Sequence, residues 1–386
     1  MATPKPDATE NFAFSSSIKE DVWHPKTDSK AYEWWYFDAL SDDGSEVFVV
    51  IFLDNFVFSP RYNSFCRKEK KQLKAAARLK SDSKIKISDK EISDIGSQVS
   101  TFPALAFVYY QNGKPIYRAI NEFTSDEFSA DTELPACRMG ENSFRFKSAP
   151  YGSGYLISIK ADLRGKRKIE ANLEWLSIES DFLPHKDFGD FKNRHTWNLV
   201  APRSDVTGSI KVTDDKGKAL DVRHFRGTGY HDHNTDARWL PETVKDWQWG
   251  RAHFSDATAV YYRYRERFGE SAVVKLFLIK NGEMKSFDAF YEEQKLRRSI
   301  YGVKYPQKLK IFTEGGIELT VNQKKPIDES FFYLRFLSEV RLQLPDSDSQ
   351  EALAITEHLA PKSLKYRWLN WLVNMRIGRG GKGSFL

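Results

Sequence analysis

The stretch that decides the fold is Leu105-Ala-Phe-Val-Tyr-Tyr-Gln-Asn-Gly-Lys-Pro-Ile-Tyr117, two apolar and aromatic runs around Asn112-Gly113. Asn-Gly is a favoured two-residue connection of antiparallel hairpins, because both residues accept a positive φ. Comparable turn signals between strand-like runs recur at residues 41–44, 164–166, 214–217, 281–282 and 315–316. Many strands at hairpin spacing, with few helix signals, predict an all-β protein built of antiparallel barrels or sandwiches.

The length of 386 residues exceeds what most single hydrophobic cores hold, which predicts two domains of similar size. Strand signals are comparable on either side of Pro202. We therefore expect an N-terminal β domain over 1–200 and a C-terminal β domain over 201–386. An aromatic content of 14% favours β-structure and a pocket for a flat or greasy ligand.

The net charge of +6 is spread along the chain, apart from a basic run between Arg67 and Lys86. Nucleic-acid binding needs base-stacking aromatics beside the positive charge, and this run has none. We predict a solvated loop or edge-strand face there, and no nucleic-acid partner.

Two cysteines make no disulfide framework, which favours a cytoplasmic location. Without a secretory signal or an apolar run of ~18 residues, we expect a soluble or at most peripheral protein.

The C-terminal segment is the one convincing helix, predicted to begin at Ser363 and to end near Gly378. Its apolar residues at helical spacing are Leu364, Trp368, Trp371, Leu372 and Met375, and its basic residues are Lys362, Lys365, Arg367, Arg376, Arg379 and Lys382. Two interpretations stay open. The helix packs on a barrel and leaves a basic tail exposed, or it lies at a membrane surface as a peripheral contact.

The densest group of proton-handling side chains is Gly227-Thr-Gly-Tyr-His-Asp-His-Asn234, followed by Asp246-Trp-Gln-Trp-Gly-Arg251. In an extended segment Tyr230, Asp232 and Asn234 share one face, and His231 and His233 share the other. A carboxyl group in a water-poor aromatic pocket has a raised pKa. Asp232 could then hold a proton near neutral pH and deliver it to an alkene or a carbonyl.

Each of these features has a plainer structural alternative. His-x-His is also a metal-ligand spacing, but a site needs further ligands and the other histidines are scattered, so we predict no metal. Asp232 could instead bind turn amides, with the histidines satisfied in a barrel mouth. Glu33 is either a functional acid or half of a buried pair with an arginine such as Arg251. The chain has no nucleophile elbow and no Walker loop, so covalent and phosphoryl-transfer chemistry lack support.

Together the motifs resemble the carotenoid-hydratase (AttH-like) family. They are Glu33-Trp-Trp-Tyr-Phe37, His195-Thr-Trp197, the Gly-x-Gly-Tyr-His-Asp-His-Asn segment and Trp247-x-Trp-Gly-Arg251, in that order. The resemblance implies two lipocalin-like β-barrel domains, with a pocket in and between them. The chain departs from the family pattern after Asn234, where many members have Trp-Gly and this chain has Thr235-Asp236.

The resemblance also implies an activity. Family members hydrate the terminal double bond of acyclic carotenoids, hydrate a prenyl side chain, or steer Diels–Alder cyclisations of polyenes. We therefore expect a cofactor-independent enzyme that acts on C=C bonds of a hydrophobic isoprenoid or polyketide-like molecule. A pericyclase that only folds its substrate, and a lipocalin-like lipid or pigment carrier, are the alternatives. The expected catalytic residues are Asp232, His231, His233, Tyr230 and Glu33, and the expected substrate-binding residues are Trp34, Trp35, Asn234, Trp247, Trp249, Arg251 and Tyr262.

Overall fold

The computed structural model describes residues 12–81, 100–149, 152–177, 194–269, 271–281, 283–345 and 347–377. These residues form two curled antiparallel sheets, a few helical segments and a helix near the C-terminus. The prediction of an all-β protein with two lipocalin-like antiparallel β-barrel domains and a C-terminal α-helix is confirmed.

The first sheet is built from the N-terminal half of the chain and the strands that follow it. Its strands are β1 (Phe12–Ser15), β2 (Tyr32–Ser41), β3 (Glu46–Leu53), β4 (Ala104–Gln111), β5 (Lys114–Glu122), β6 (Phe128–Ala130), β7 (Ala136–Met139), β8 (Asn142–Ala149), β9 (Gly152–Leu163), β10 (Arg167–Ser177), β11 (His195–Thr213) and β12 (Ala219–Asp236). Their order is β5-β4-β3-β2-β12-β11-β10-β9-β8-β7-β6, and β1 pairs with β11 in parallel. The neighbours β2 and β12 are thus central.

The second sheet is built from the remaining strands. They are β13 (Val244–His253), β14 (Thr258–Glu266), β15 (Val273–Lys280), β16 (Glu283–Asp288), β17 (Phe290–Arg298), β18 (Lys304–Phe312), β19 (Glu318–Asn322), β20 (Pro326–Glu329), β21 (Tyr333–Gln343) and β22 (Gln350–Leu359). Their order is β16-β15-β14-β13-β22-β21-β19-β18-β17, with β20 beside β21. The expected boundary at residue 200 lies inside β11. Because β11 and β12 both belong to the first sheet, the chain passes to the second sheet between Asp236 and Val244.

The helices are α1 (Pro60–Ser81), the one-turn α2 (Leu240–Thr243) and α3 (Asn370–Ile377). Short 3-10 turns span Ile18–Glu20, Ser125–Glu127, Pro361–Lys365 and Arg367–Leu369. The basic run from Arg67 is therefore helical as far as Ser81, not a loop or an edge strand, since α1 buries Tyr62 and Cys66 one turn apart. Residues 82–86 of the run lie outside the described residues.

The C-terminal segment is less regular than its spacing predicts. Two 3-10 turns precede α3, because Tyr366 between them has an extended backbone (φ −91°, ψ 113°) that interrupts a continuous helix. The predicted end at Gly378 lies outside the described residues. Among the helices that the structure describes, none is long and apolar enough to span a membrane.

The turn chemistry of the hairpins follows the sequence. Asn112 and Gly113 have φ values of 51° and 70°, as the predicted two-residue turn requires. Gly165 and Lys166 connect β9 to β10 with φ values of 76° and 61°. The sheets enclose separate apolar cores on their inner faces, and a third apolar layer lies between them. The strands β2 and β12 contribute one face to the core of the first sheet and the other face to this layer.

Candidate active site

Asp232 lies on the face of β12 that is turned towards the second sheet, and its side chain is almost completely buried. Its Oδ2 accepts hydrogen bonds from Trp197 Nε1 at 2.9 Å and from the Tyr230 hydroxyl at 2.8 Å. Its Oδ1 accepts one from Asn234 Nδ2 at 2.8 Å. The alternation of side chains along the strand brings Tyr230, Asp232 and Asn234 together, as predicted.

The pKa of Asp232 is raised to about 7. Burial is the main cause, because a carboxylate loses its hydration in this layer, and the negative charges of Glu357 and Asp38 act in the same direction. The hydrogen bonds from Trp197 and Tyr230 lower the pKa and offset burial only in part. Asp232 therefore carries its proton in a large fraction of molecules at neutral pH.

A cavity of about 380 Å³ opens beside Asp232 and Asn234, between the two sheets. This volume lies within the range of small-molecule sites. Five of the seven residues expected to bind substrate line it: Trp34, Asn234, Trp247, Trp249 and Tyr262. Further aromatic walls come from both sheets, from the loop between β3 and α1 and from the loop after β20, namely Tyr36, Phe56, Phe58, Phe331, Phe332 and Tyr333. The cavity is therefore apolar over most of its surface, and its charged lining residues are Asp232, Glu357, Asp328, Arg118, Arg335 and Arg376.

A second carboxylate in the cavity, Glu357 of β22, was not expected from the sequence. Its Oε1 accepts hydrogen bonds from the Tyr36 hydroxyl at 2.9 Å and Arg335 Nε at 2.8 Å. Its Oε2 accepts one from Trp249 Nε1 at 3.0 Å. The available signal was the alternation Ile355, Glu357, Leu359, which places one acid in an otherwise apolar series.

The histidines of the motif face the opposite side of β12, inside the curled first sheet. His231 stacks on Phe37 with ring centroids 3.9 Å apart, and His233 stacks on Trp35 at 4.8 Å. His231 Nε2 lies 3.0 Å from Asp21 Oδ2. These side chains and Trp35 therefore do not line the cavity, and the strand itself separates both imidazoles from Asp232.

Glu33 lies on this same face and is fully buried. Its Oε1 is 2.7 Å from both His233 Nε2 and His24 Nδ1, and His233 Nδ1 is 3.3 Å from Asp21 Oδ1. We call Asp21, His24, Glu33, His231 and His233 the histidine cluster. Glu33 is thus half of a buried pair, as one of the two interpretations predicts, but its partners are histidines instead of Arg251.

Within the histidine cluster, one set of donors could hold a metal ion. One ligand atom each from His24, Glu33 and His233 lies within 4.8 Å of the others. His24 has no spacing signal that marks it as a third donor, because it is nine residues from Glu33. Such an ion would compete with the proton on His233. Burial lowers the pKa of His233, but Glu33 and Asp21 outweigh burial and raise it to about 10. A cation would have to displace that proton.

Arg251 and Tyr262 connect elements around the cavity. Arg251 is fully buried and does not line the cavity. Its Nε donates to Asp38 Oδ1 at 2.9 Å, which ties β13 of the second sheet to β2 of the first. The Tyr262 hydroxyl lies 2.9 Å from His195 Nε2. Burial lowers the pKa of His195 to about 3, so this imidazole is neutral.

Comparison with known proteins places the chain in a family. The family model described as carotenoid hydratase CrtC matches residues 185–385, and the chain belongs to this family. The match includes β11, β12 and the whole second sheet. The resemblance seen in the motifs is thereby confirmed.

Individual relatives agree with the family assignment. The chain is 27% identical over 377 residues to hydroxyneurosporene dehydrogenase of Chlorobaculum tepidum, which covers 95% of this chain and 92% of the relative. It is 23% identical over 317 residues to the acyclic carotenoid 1,2-hydratase of Thiocapsa roseopersicina, which covers 81% of this chain and 65% of that protein. The crystal structure of CghA with Sch210972 has a TM-score of 0.53 at 14% identity, covering 88% of this chain and 94% of CghA, and supports the fold.

Proposed function

We propose that this protein is an enzyme that adds a proton to a C=C bond of a hydrophobic polyene, with hydration as the leading reaction. One observation carries the proposal: a buried carboxyl group with a pKa of about 7 faces an aromatic cavity. A general acid is most effective when its pKa is near the working pH. Membership of the carotenoid hydratase family supports a polyene as the substrate.

The proposed step begins with the substrate double bond beside Asp232. The carboxyl proton of Asp232 forms a new C–H bond, and the neighbouring carbon becomes positively charged. The faces of Trp34, Trp247 and Trp249 stabilise this charge. A water molecule adds its oxygen to the charged carbon, and the proton that it releases returns to the Asp232 carboxylate. The net change is addition of one water, which requires no cofactor.

The neighbouring residues have separate roles in this proposal. Tyr230, Trp197 and Asn234 stabilise the carboxylate that remains after Asp232 has donated its proton, because each donates a hydrogen bond to it. Glu357, held by Arg335 Nε at 2.8 Å and by Trp249 Nε1 at 3.0 Å, lines the cavity on the side of the second sheet. The histidine cluster does not touch the cavity, so His231, His233 and Glu33 act as positioning residues that fix β12.

The test is turnover of an acyclic carotenoid in ¹⁸O-labelled water. We expect the product to carry one labelled oxygen, and Asp232→Asn to lower kcat by about 10²–10⁴-fold, the usual contribution of a general acid. The matched control is Asp205→Asn, an exposed aspartate of the adjacent β11 that should retain activity. Wild-type turnover by a folded Asp232→Asn protein would show that the acid assignment is wrong.

A second candidate is cyclisation in which the cavity only folds the substrate. The aromatic walls favour it, because they can hold a polyene in a reactive conformation, and Arg335 or Asn234 can donate a hydrogen bond to a carbonyl oxygen. In that case Asp232→Asn retains much of its activity, whereas Trp249→Ala, which reshapes the wall, does not. A carrier protein, the third alternative, would return its ligand chemically unchanged.

A further inference from the structure

Exposed apolar side chains surround the mouth of the cavity. Trp371, Met375 and Tyr301 all line the cavity, yet 56%, 37% and 38% of their surfaces remain accessible. Two residues that directly precede α3 in the chain are exposed as well: Trp368 is 71% accessible and Tyr366 is 46% accessible. We call these five residues the mouth surface. It is an unusual place for two tryptophans, which are mostly buried in folded proteins.

The helix α3 is held in one orientation. Val373 and Ile377, one turn apart, are buried, whereas Trp371 and Met375, also one turn apart, point outwards. Arg376 Nη1 donates to Asp328 Oδ1 at 3.1 Å and thereby ties α3 to β20. The exposure of the mouth surface is therefore built into the packing of α3.

The charge around the mouth surface is positive. The described residues 361–377 contain four basic residues and no acidic residue. The helix α1 lies against this segment, where Arg67 Nη1 donates to the Leu364 carbonyl at 3.2 Å. Between Arg61 and Ser81, α1 carries a single acid, Glu69, among its many lysines and arginines. Glu242 pairs with Lys70 and with Lys365, and neutralises only part of this charge.

We propose that the mouth surface docks on an anionic lipid bilayer, so that the cavity opens into the membrane. Tryptophan and tyrosine rings are suited to the boundary between headgroups and acyl chains, and the surrounding cations attract anionic headgroups. The combination of protruding rings and net positive charge fits a lipid surface better than it fits a second copy of this chain, whose equivalent surface is also positive. The proposal goes beyond the reaction at Asp232 and does not depend on it.

Flotation with vesicles tests the proposal. The protein is mixed with vesicles of phosphatidylcholine alone, or of phosphatidylcholine with phosphatidylglycerol, and the bound fraction is measured after centrifugation. We expect binding to the phosphatidylglycerol vesicles only, with at least a tenfold weaker partition coefficient for the Trp368→Ser, Trp371→Ser double variant. Lys362→Glu with Arg367→Glu should weaken binding similarly, and added salt should weaken binding of the wild type because it screens the charges.

Two controls isolate the surface from the fold and from the chemistry. Leu220→Ser with Val222→Ser removes two apolar side chains of β12 that are similarly exposed, and should float like the wild type. Asp232→Asn should also float normally, even if it is inactive. Failure of the wild type to float, or equal flotation of the tryptophan variant, overturns the proposal. Dimerisation that the tryptophan variant abolishes, without flotation of the wild type, would assign the surface to a second copy.

Discussion

Asp232 and His233 are adjacent in β12, yet their side chains lie in different chemical environments. Asp232 faces an apolar cavity, where three neutral hydrogen-bond donors surround it. His233 faces the interior of the first sheet, between the carboxylates of Asp21 and Glu33. The first arrangement retains a transferable proton near neutral pH, and the second holds a proton tightly. The polar side chains of one motif therefore lie in two different environments, one on each face of a strand.

The largest expected effect is a loss of stability when a residue of the histidine cluster is replaced. His233→Ala leaves two buried carboxylates without their shared partner, which should lower the free energy of unfolding by about 3–5 kcal/mol. His24→Ala, which removes a half-exposed partner of the same Glu33, should cost less than about 1 kcal/mol. Urea unfolding measures both. Equal losses from the two variants would contradict the distinction between a buried and a half-exposed partner.

The pH dependence of that loss has a defined sign. The pKa of His233 is raised from 6.5 to about 10, so its stabilising contribution is complete below 6.5 and is lost as pH rises through about 10. The pKa of Asp21 is lowered from 3.8 to about 2, because His231 and His233 outweigh burial, so its contribution is lost as pH falls through about 2. The difference in stability between the wild type and His233→Ala should be largest between pH 4 and 6.5.

Titration of Asp232 should make the enzymatic activity depend on pH. Asp232 must be protonated to act as an acid, and its pKa is about 7. We expect kcat/KM to fall about tenfold for each pH unit above that value, while lower pH leaves this group competent. Initial rates across a pH series, with folding monitored by circular dichroism, provide the measurement. An activity that rises steadily above pH 8 would require Asp232 to act as a base.

A smaller effect should follow from Tyr230→Phe. The substitution removes one hydrogen bond to the Asp232 carboxylate and leaves the ring in place, so the pKa of Asp232 should rise by about one unit. The midpoint of the pH–rate profile should move upwards by the same amount. Tyr261→Phe, on the opposite side of β14 from Tyr262, is a control that should leave the midpoint unchanged.

The smallest expected effect is that of a chelator. Because the raised pKa of His233 lets a proton compete with an ion for the donor set of His24, Glu33 and His233, we expect dialysis against EDTA to change turnover by less than about twofold. Metal analysis of the purified protein provides the companion measurement. Loss of turnover with EDTA that added zinc restores would show that this face of β12 binds a functional ion.

Local features of the fold were predictable from the sequence. Asn112-Gly113 alone determines one hairpin, and the period of two along β12 is enough to place Asp232 on one face and His231 and His233 on the other. The helix α1 was not predictable from its basic run. Its buried residues are few and lie in the first half of the helix. The lysine-rich second half therefore shows no apolar repeat at helical spacing.

Features that depend on contacts between distant strands could not be predicted. Glu357 enters the site because β22 pairs with β13, and the partner of Arg251 proved to be Asp38, a residue of the other sheet. The metal-capable set has the same origin, since His24 reaches Glu33 and His233 only when the N-terminal segment folds over the barrel. A single sequence does not contain the register between distant strands, so such pairs have no local signature.

The parallel pairing of β1 with β11 has a consequence for the order of folding. Ser16 Oγ donates to the Leu199 carbonyl at 2.6 Å across a separation of 183 residues. Closing so long a loop costs entropy before the contact can repay it, whereas the hairpins form from neighbouring residues. We call residues 12–24 the N-terminal strap, and we expect it to dock late in folding. Since the strap brings Asp21 and His24, the barrel is sealed only after most of its strands have assembled, and His233 stays hydrated until then.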